Sequence, residues 1–135
     1  MKATLSFLSA AVALASTAVA QDECATAMNM AVGVPTPFST LTATESAPDF
    51  SCAAGGGSLT SPDVWLEFTA LTTTNATAST CNTADYDTKI EIYSGGCLAL
   101  TSVARNDDGT GCAGFTSEVT FPVVAGVQYL SLIHI

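Results

Sequence analysis

The chain has 135 residues, with twelve acidic residues against three basic ones, a net charge of −9 and a pI near 4.1. A surface this acidic repels phosphate backbones and argues against nucleic acid as a partner. The hydrophobic fraction is 48%, but alanine and an apolar N-terminal run supply much of it; Thr, Ser and Gly fill most of the rest, and no long amphipathic helix pattern is present.

Residues 1–20 read as an export signal. Lys2 is the positive start, Leu5 to Ala15 form an apolar stretch too short to span a bilayer, and Ala18-Val19-Ala20 is an A-x-A cleavage site before Gln21. The polar Gln21-Asp22-Glu23 ahead of Cys24 does not fit a lipoprotein signal. The expectation is a soluble, secreted protein without membrane insertion. Without Lys2, Lys89 and Arg105 face twelve acidic residues, a net charge of −10.

Residues 21–135 suffice for one domain. A leader over 21–35 contains the apolar run Met28 to Val34, and Pro35 and Pro37 suit an edge position. Phe38 to Thr44 alternates weakly. Residues 45–62, with Pro48, Cys52 and three glycines in a row, read as a loop. Asp63 to Ala70 (DVWLEFTA) is the clearest strand: Val64, Leu66 and Phe68 share one face, Trp65, Glu67 and Thr69 the other. Ala76 to Cys81 returns as a Thr/Ser-rich strand. Lys89 to Tyr93 alternates strictly, with Ile90 and Ile92 facing the core and Lys89, Glu91 and Tyr93 facing outward.

Ser94-Gly95-Gly96 is a turn, and Ala99 to Arg105 another short strand. Residues 106–114 (NDDGTGCAG) form a polar, Gly-rich loop. Phe115 to Val124 alternates again, with Val119, Phe121 and Val123 on one face, and a last strand begins at Val127. Short β-branched strands separated by turns predict an all-β fold, an antiparallel β-sandwich of jelly-roll type. That last strand reads as truncated. The string from Leu130 to Ile135 resembles translated adapter sequence, so residues 131–135 are set aside as a non-native tail, and His134 receives no role.

All five cysteines, Cys24, Cys52, Cys81, Cys97 and Cys112, follow the cleavage site and read as disulfide-forming. No C-x-x-C pair is present, which argues against zinc and thiol redox chemistry. Cys97 and Cys112 flank one strand and its two turns and are the expected bridge; Cys24 and Cys52 are the second pair, with Cys81 left over.

The stretch from Asp63 onward resembles secreted β-sandwich domains of the bacterial pre-peptidase C-terminal type, jelly rolls similar to CUB domains. The resemblance is carried by DVWLEFTA (63–70), STC (79–81), DYDTKIEIYSGGC (85–97), ARNDDGTGC (104–112) and SEVTFPVVAGVQYL (117–130), roughly half of residues 21–135 in the family's order. It implies an accessory module fused to further domains of a larger surface or secreted protein. It also places an aspartate such as Asp87 near a second acidic loop.

Calcium takes several oxygen ligands at about 2.3–2.6 Å. Asp87, Asp107 and Asp108 are the expected ligands, with Asn106 and Asp85 as further donors. The loop is not an EF-hand, since D-x-D-x-D-G and its closing Glu are missing. A loop Asp capping its own turn is the plainer alternative. Trp65, Tyr86, Tyr93 and Tyr129 are the rings available to stack on sugar, although core packing is the commoner fate of a lone strand Trp. G-x-S-x-G, H-E-x-x-H and a Cys/His pair are absent, which argues against an enzyme. Asn75-Ala76-Thr77 is a glycosylation sequon, expected on a turn. The chain therefore reads as a non-catalytic adhesion or targeting module that binds extracellular protein or carbohydrate. The alternative is an N-terminal accessory fragment of a secreted peptidase or glycosidase.

Overall fold

The computed structural model describes residues 2–9, 21–45 and 62–134. Its elements are almost entirely strands: β1 (Lys2–Ser9), β2 (Met28–Asn29), β3 (Thr36–Phe38), β4 (Asp63–Thr69), β5 (Thr74–Ser79), β6 (Lys89–Ser94), β7 (Thr101–Asn106), β8 (Glu118–Val123) and β9 (Gln128–His134). They form a four-stranded sheet ordered β3-β1-β5-β8 and a five-stranded sheet ordered β2-β4-β9-β6-β7. The described residues are mostly strand with almost no helix, consistent with the all-β expectation.

The period-2 alternation does what it should. Val64, Leu66 and Phe68 of β4 and Ile90 and Ile92 of β6 enter one apolar cluster with Ala76 and Ala78 of β5 and Phe121 and Val123 of β8. Both sheets thus contribute to the same core. Alanines on β5 leave room for rings opposite: Phe68 stacks on Tyr129 at 5.5 Å and meets Phe121 edge-on at 6.3 Å. The outward Thr77 bonds Thr120 across the β5–β8 ladder at 2.8 Å.

Strand direction departs from the antiparallel expectation. β4, β9, β6 and β7 are antiparallel neighbours, as are β5 and β8. The N-terminal strands enter parallel: β2 on β4, and β1 between β3 and β5. Side-chain alternation is the same in either direction, so it could not distinguish them. Pro37 lies on the edge strand β3, where a missing N–H is tolerated.

Lys2–Ser9, the start of the expected export signal, forms the backbone ladder of β1. The rest of that segment, with Ala18 to Ala20, lies outside the described residues, as does Cys52. The tail set aside in the sequence also has a structural place. Ser131–His134 is the second half of β9, a central strand paired from Asp63↔His134 to Thr69↔Gln128 on one side and from Lys89↔His134 to Ser94↔Tyr129 on the other. Leu132, Ile133 and His134 are buried there.

A second apolar cluster lies on the other face of the larger sheet. Trp65, Tyr93, Leu130 and Leu132 are buried, with Cys24, Ala27 and Leu100 packed against them. The leader covers this face. A one-turn 3-10 helix at Cys24–Thr26 lies across it, and Trp65 N donates to Gln21 O. Tyr93 is therefore buried, and so is Glu91, which accepts from Ser102 Oγ at 2.7 Å, although alternation points both outward.

The disulfides correct the expected pairing. Cys24 is bonded to Cys97, with Cα atoms 5.7 Å apart, and Cys81 to Cys112, at 4.9 Å. Cys97 follows β6 and Cys112 follows β7, so the six residues of β7 hold them at opposite ends of the sheet, about 20 Å apart. Flanking a strand separates two cysteines rather than joining them. Cys97 instead meets the leader.

The Cys24–Cys97 bridge closes a loop of 73 residues over Trp65. Replacing both cysteines by serine is expected to lower unfolding free energy by about 4 kcal/mol and to shift Trp65 emission to longer wavelength. Denaturant titration followed by fluorescence measures both. Unchanged emission would mean that the leader does not shield the ring.

Candidate functional site

Three buried hydroxyl residues organise one end of the sheets. Thr80, Thr88 and Ser117 are fully buried. Thr80 Oγ1 and Thr88 Oγ1 bond each other at 2.6 Å, and the Ser117 N–H is directed at both, at 3.0 and 3.1 Å. Thr80 returns two bonds to Ser117 O, from its amide at 2.9 Å and its hydroxyl at 3.1 Å. The Ser117 hydroxyl lies against the carbonyl oxygens of Thr88 and Asp107. Irregular backbone can be buried here because these hydroxyls replace ladder partners.

The Cys81–Cys112 bridge fixes the same two loops. Beside it, Asn82 adopts a positive φ of 58°, accepts from Ala113 N at 2.9 Å and donates its own N–H to Thr116 Oγ1 at 3.2 Å. Asn is among the residues that tolerate this conformation. Gly109 is required by space: a Cβ would fall 2.4 Å from Cys112 Sγ and 3.0 Å from Glu118 N.

This frame sets the acidic residues side by side. Asp87 precedes β6, while Asp107 and Asp108 follow β7, and the β6–β7 pairing puts Ile90 opposite Asn106. One carboxylate oxygen from each of Asp87, Asp107 and Asp108 lies within 4.8 Å of the others. Lys89 Nζ sits 3.0 Å from Asp107 Oδ2. The Asp87 pKa is raised: protein packed near its carboxyl takes away water, and the charges of Asp107 and Asp108 oppose ionisation, against the lowering influence of Lys89 and His134.

Asn106 is used structurally. Its amide donates to Asp108 O at 3.2 Å and Glu118 O at 2.7 Å, and its Oδ1 accepts from Asp107 N at 3.0 Å. Asp85 is exposed and lies outside the carboxylate group. The donor set is therefore three carboxylates, hard oxygen ligands that fit calcium or magnesium better than zinc.

The aromatic set does not gather into an exposed face. Trp65, Tyr93 and Tyr129 are buried, and Tyr86 is half-buried against the core. Asn75 is exposed, on β5 rather than on the expected turn. Among the predicted site residues, only the three aspartates come together as a group. Lys89 and the hydroxyl trio were missed. Lys89 was legible as a neighbour, two residues after Asp87 at the head of an alternating strand; the pairing of Thr80, Thr88 and Ser117 was not. Comparison with protein-family models, curated proteins and solved structures finds no match to this chain.

Ser117→Ala leaves buried partners without their donor and is expected to cost about 1–3 kcal/mol, read by chemical denaturation. Loss below 0.5 kcal/mol would indicate that water replaces the hydroxyl at no net cost, about the size of a neutral surface change. Asp87 gives a pH signature. Its folded pKa lies above its unfolded one, so the native state binds the extra proton between the two values. Stability contributed by protonated Asp87 is present at low pH and lost as pH rises from the ordinary carboxylate range through the raised value. In chelator, Asp87→Asn is expected to remove that fall and to melt higher at neutral pH than the wild type. A lower melting point for Asp87→Asn would contradict the repulsion.

Proposed function

We propose that this chain is a non-catalytic extracellular module, a jelly-roll-like β-sandwich, that binds calcium through Asp87, Asp107 and Asp108 and serves adhesion or targeting within a larger secreted protein. The convergence of the three carboxylates within 4.8 Å carries the reading. Charges of one sign held this close are costly, and a divalent cation turns the repulsion into attraction. Extracellular protein or carbohydrate is the partner class. Two disulfides are compatible with an extracellular protein, and among the described residues no helix is long and apolar enough to cross a membrane. Export with cleavage after Ala20 removes β1 and leaves the edges of β3 and β5 that it pairs.

Lys89 weakens such a site. Its ammonium already neutralises Asp107, so calcium competes with it, and the affinity belongs in the range of about 10⁻⁴–10⁻³ M found for extracellular modules. The bound ion would supply charge neutralisation and tie the start of β6 to the end of β7, with water completing its shell.

Thermal unfolding in millimolar calcium against chelator tests this. The wild type should melt higher with calcium, because only the folded state gathers the ligands. Lys89→Gln should bind calcium about tenfold more tightly, equivalent to about 1.4 kcal/mol, and Asp107→Asn should lose the response. An unchanged melting temperature in the wild type would reduce the cluster to solvated turns.

A further inference from the structure

We propose that Gln21, once cleavage after Ala20 makes it the amino terminus, closes to a pyroglutamyl lactam that seats and protects the leader; this rests on the export reading above. The α-amine attacks Cδ of its own side-chain amide. The N–Cδ bond forms, the Cδ–Nε2 bond breaks, and the nitrogen leaves as ammonia with the proton released from the amine. The ring has five members and the step needs no oxidant, reductant or co-reactant.

The surroundings of Gln21 suit this product. Gln21 has φ of 117°, a region that L side chains rarely adopt. That angle exists only while the bond to Ala20 exists, so cleavage removes the constraint. The Gln21 nitrogen donates to Thr26 O at 3.0 Å, and Gln21 O accepts from Trp65 N at 2.6 Å. A lactam keeps both groups: one N–H for Thr26 and the α-carbonyl for Trp65. The contact given up is Gln21 Nε2 to Met28 Sδ, 2.9 Å, and a thioether is a weak acceptor.

The position is half-buried and tied through its carbonyl to the backbone of the buried Trp65. There an uncharged lactam loses less hydration than an ammonium would. The next residue is already anchored, since Thr44 donates its amide and its hydroxyl to the Asp22 carboxylate. A blocked, docked terminus denies aminopeptidases the residues that lead to Cys24, whose bridge to Cys97 clips the leader over the sheet.

The test is peptide mass spectrometry of the full chain exported from a secreting host and kept at neutral pH. An N-terminal peptide beginning at residue 21 and lighter by one ammonia is expected. It should resist aminopeptidase until pyroglutamyl peptidase is added, whereas Gln21→Ala should be trimmed directly. A peptide beginning at an uncyclised Gln21 overturns the proposal and leaves the export reading intact. A peptide beginning elsewhere, or an uncleaved precursor, overturns both. A cyclised wild type trimmed as fast as Gln21→Ala would refute the protective role.

Discussion

The acidic end of this protein depends on a small set of buried hydroxyls. Thr80, Thr88 and Ser117 lie between loops that have no sheet partners of their own, and each supplies what the backbone lacks. Without them, the amide of Ser117 and the carbonyls of Thr88 and Asp107 would be buried in a place water reaches poorly. The Cys81–Cys112 bridge and the close fit of Gly109 under Cys112 fix the same loops. The convergence of Asp87, Asp107 and Asp108 follows from that arrangement. Three carboxylates do not approach one another unaided; here the β6–β7 pairing and the hydroxyl trio bring them together, with Lys89 offsetting part of the charge.

The strands were legible where alternation reports burial on one face. DVWLEFTA and KIEIY each placed their inward residues correctly, because a one-residue error would have put Leu66 or Ile92 in water. The same rule misled for Glu91 and Tyr93, whereas Trp65 packs in a buried second layer, the commoner fate of a lone strand Trp. Their face is covered by a leader whose position is set by a disulfide with a 73-residue separation, and no local pattern carries that information. Strand direction was hidden for a similar reason. β1 and β2 enter parallel, and side-chain alternation is the same in either direction.

Among the site residues, the aspartates were legible because they flank a hairpin: Asp87 precedes one strand and Asp107 and Asp108 follow its neighbour, so pairing alone makes them neighbours. Cysteine pairing failed on the same geometry read the wrong way. A hairpin joins the start of its first strand to the end of its second, which suits Asp87 with Asp107, whereas Cys97 and Cys112 are separated by the length of β7. The hydroxyl trio could not be read at all. Threonine and serine are abundant throughout this chain, and nothing in the sequence marks which three are buried.

The trio of Thr80, Thr88 and Ser117 ties the acidic loop to the sheets as a strand ladder would. Amide hydrogen exchange at Ser117 tests it directly. Its N–H is bonded to side-chain hydroxyls alone, outside any strand. It is expected to exchange only with global unfolding, as slowly as the amides of β6 and β9. Exchange of Ser117 at loop rates, while those strands stay protected, would contradict it.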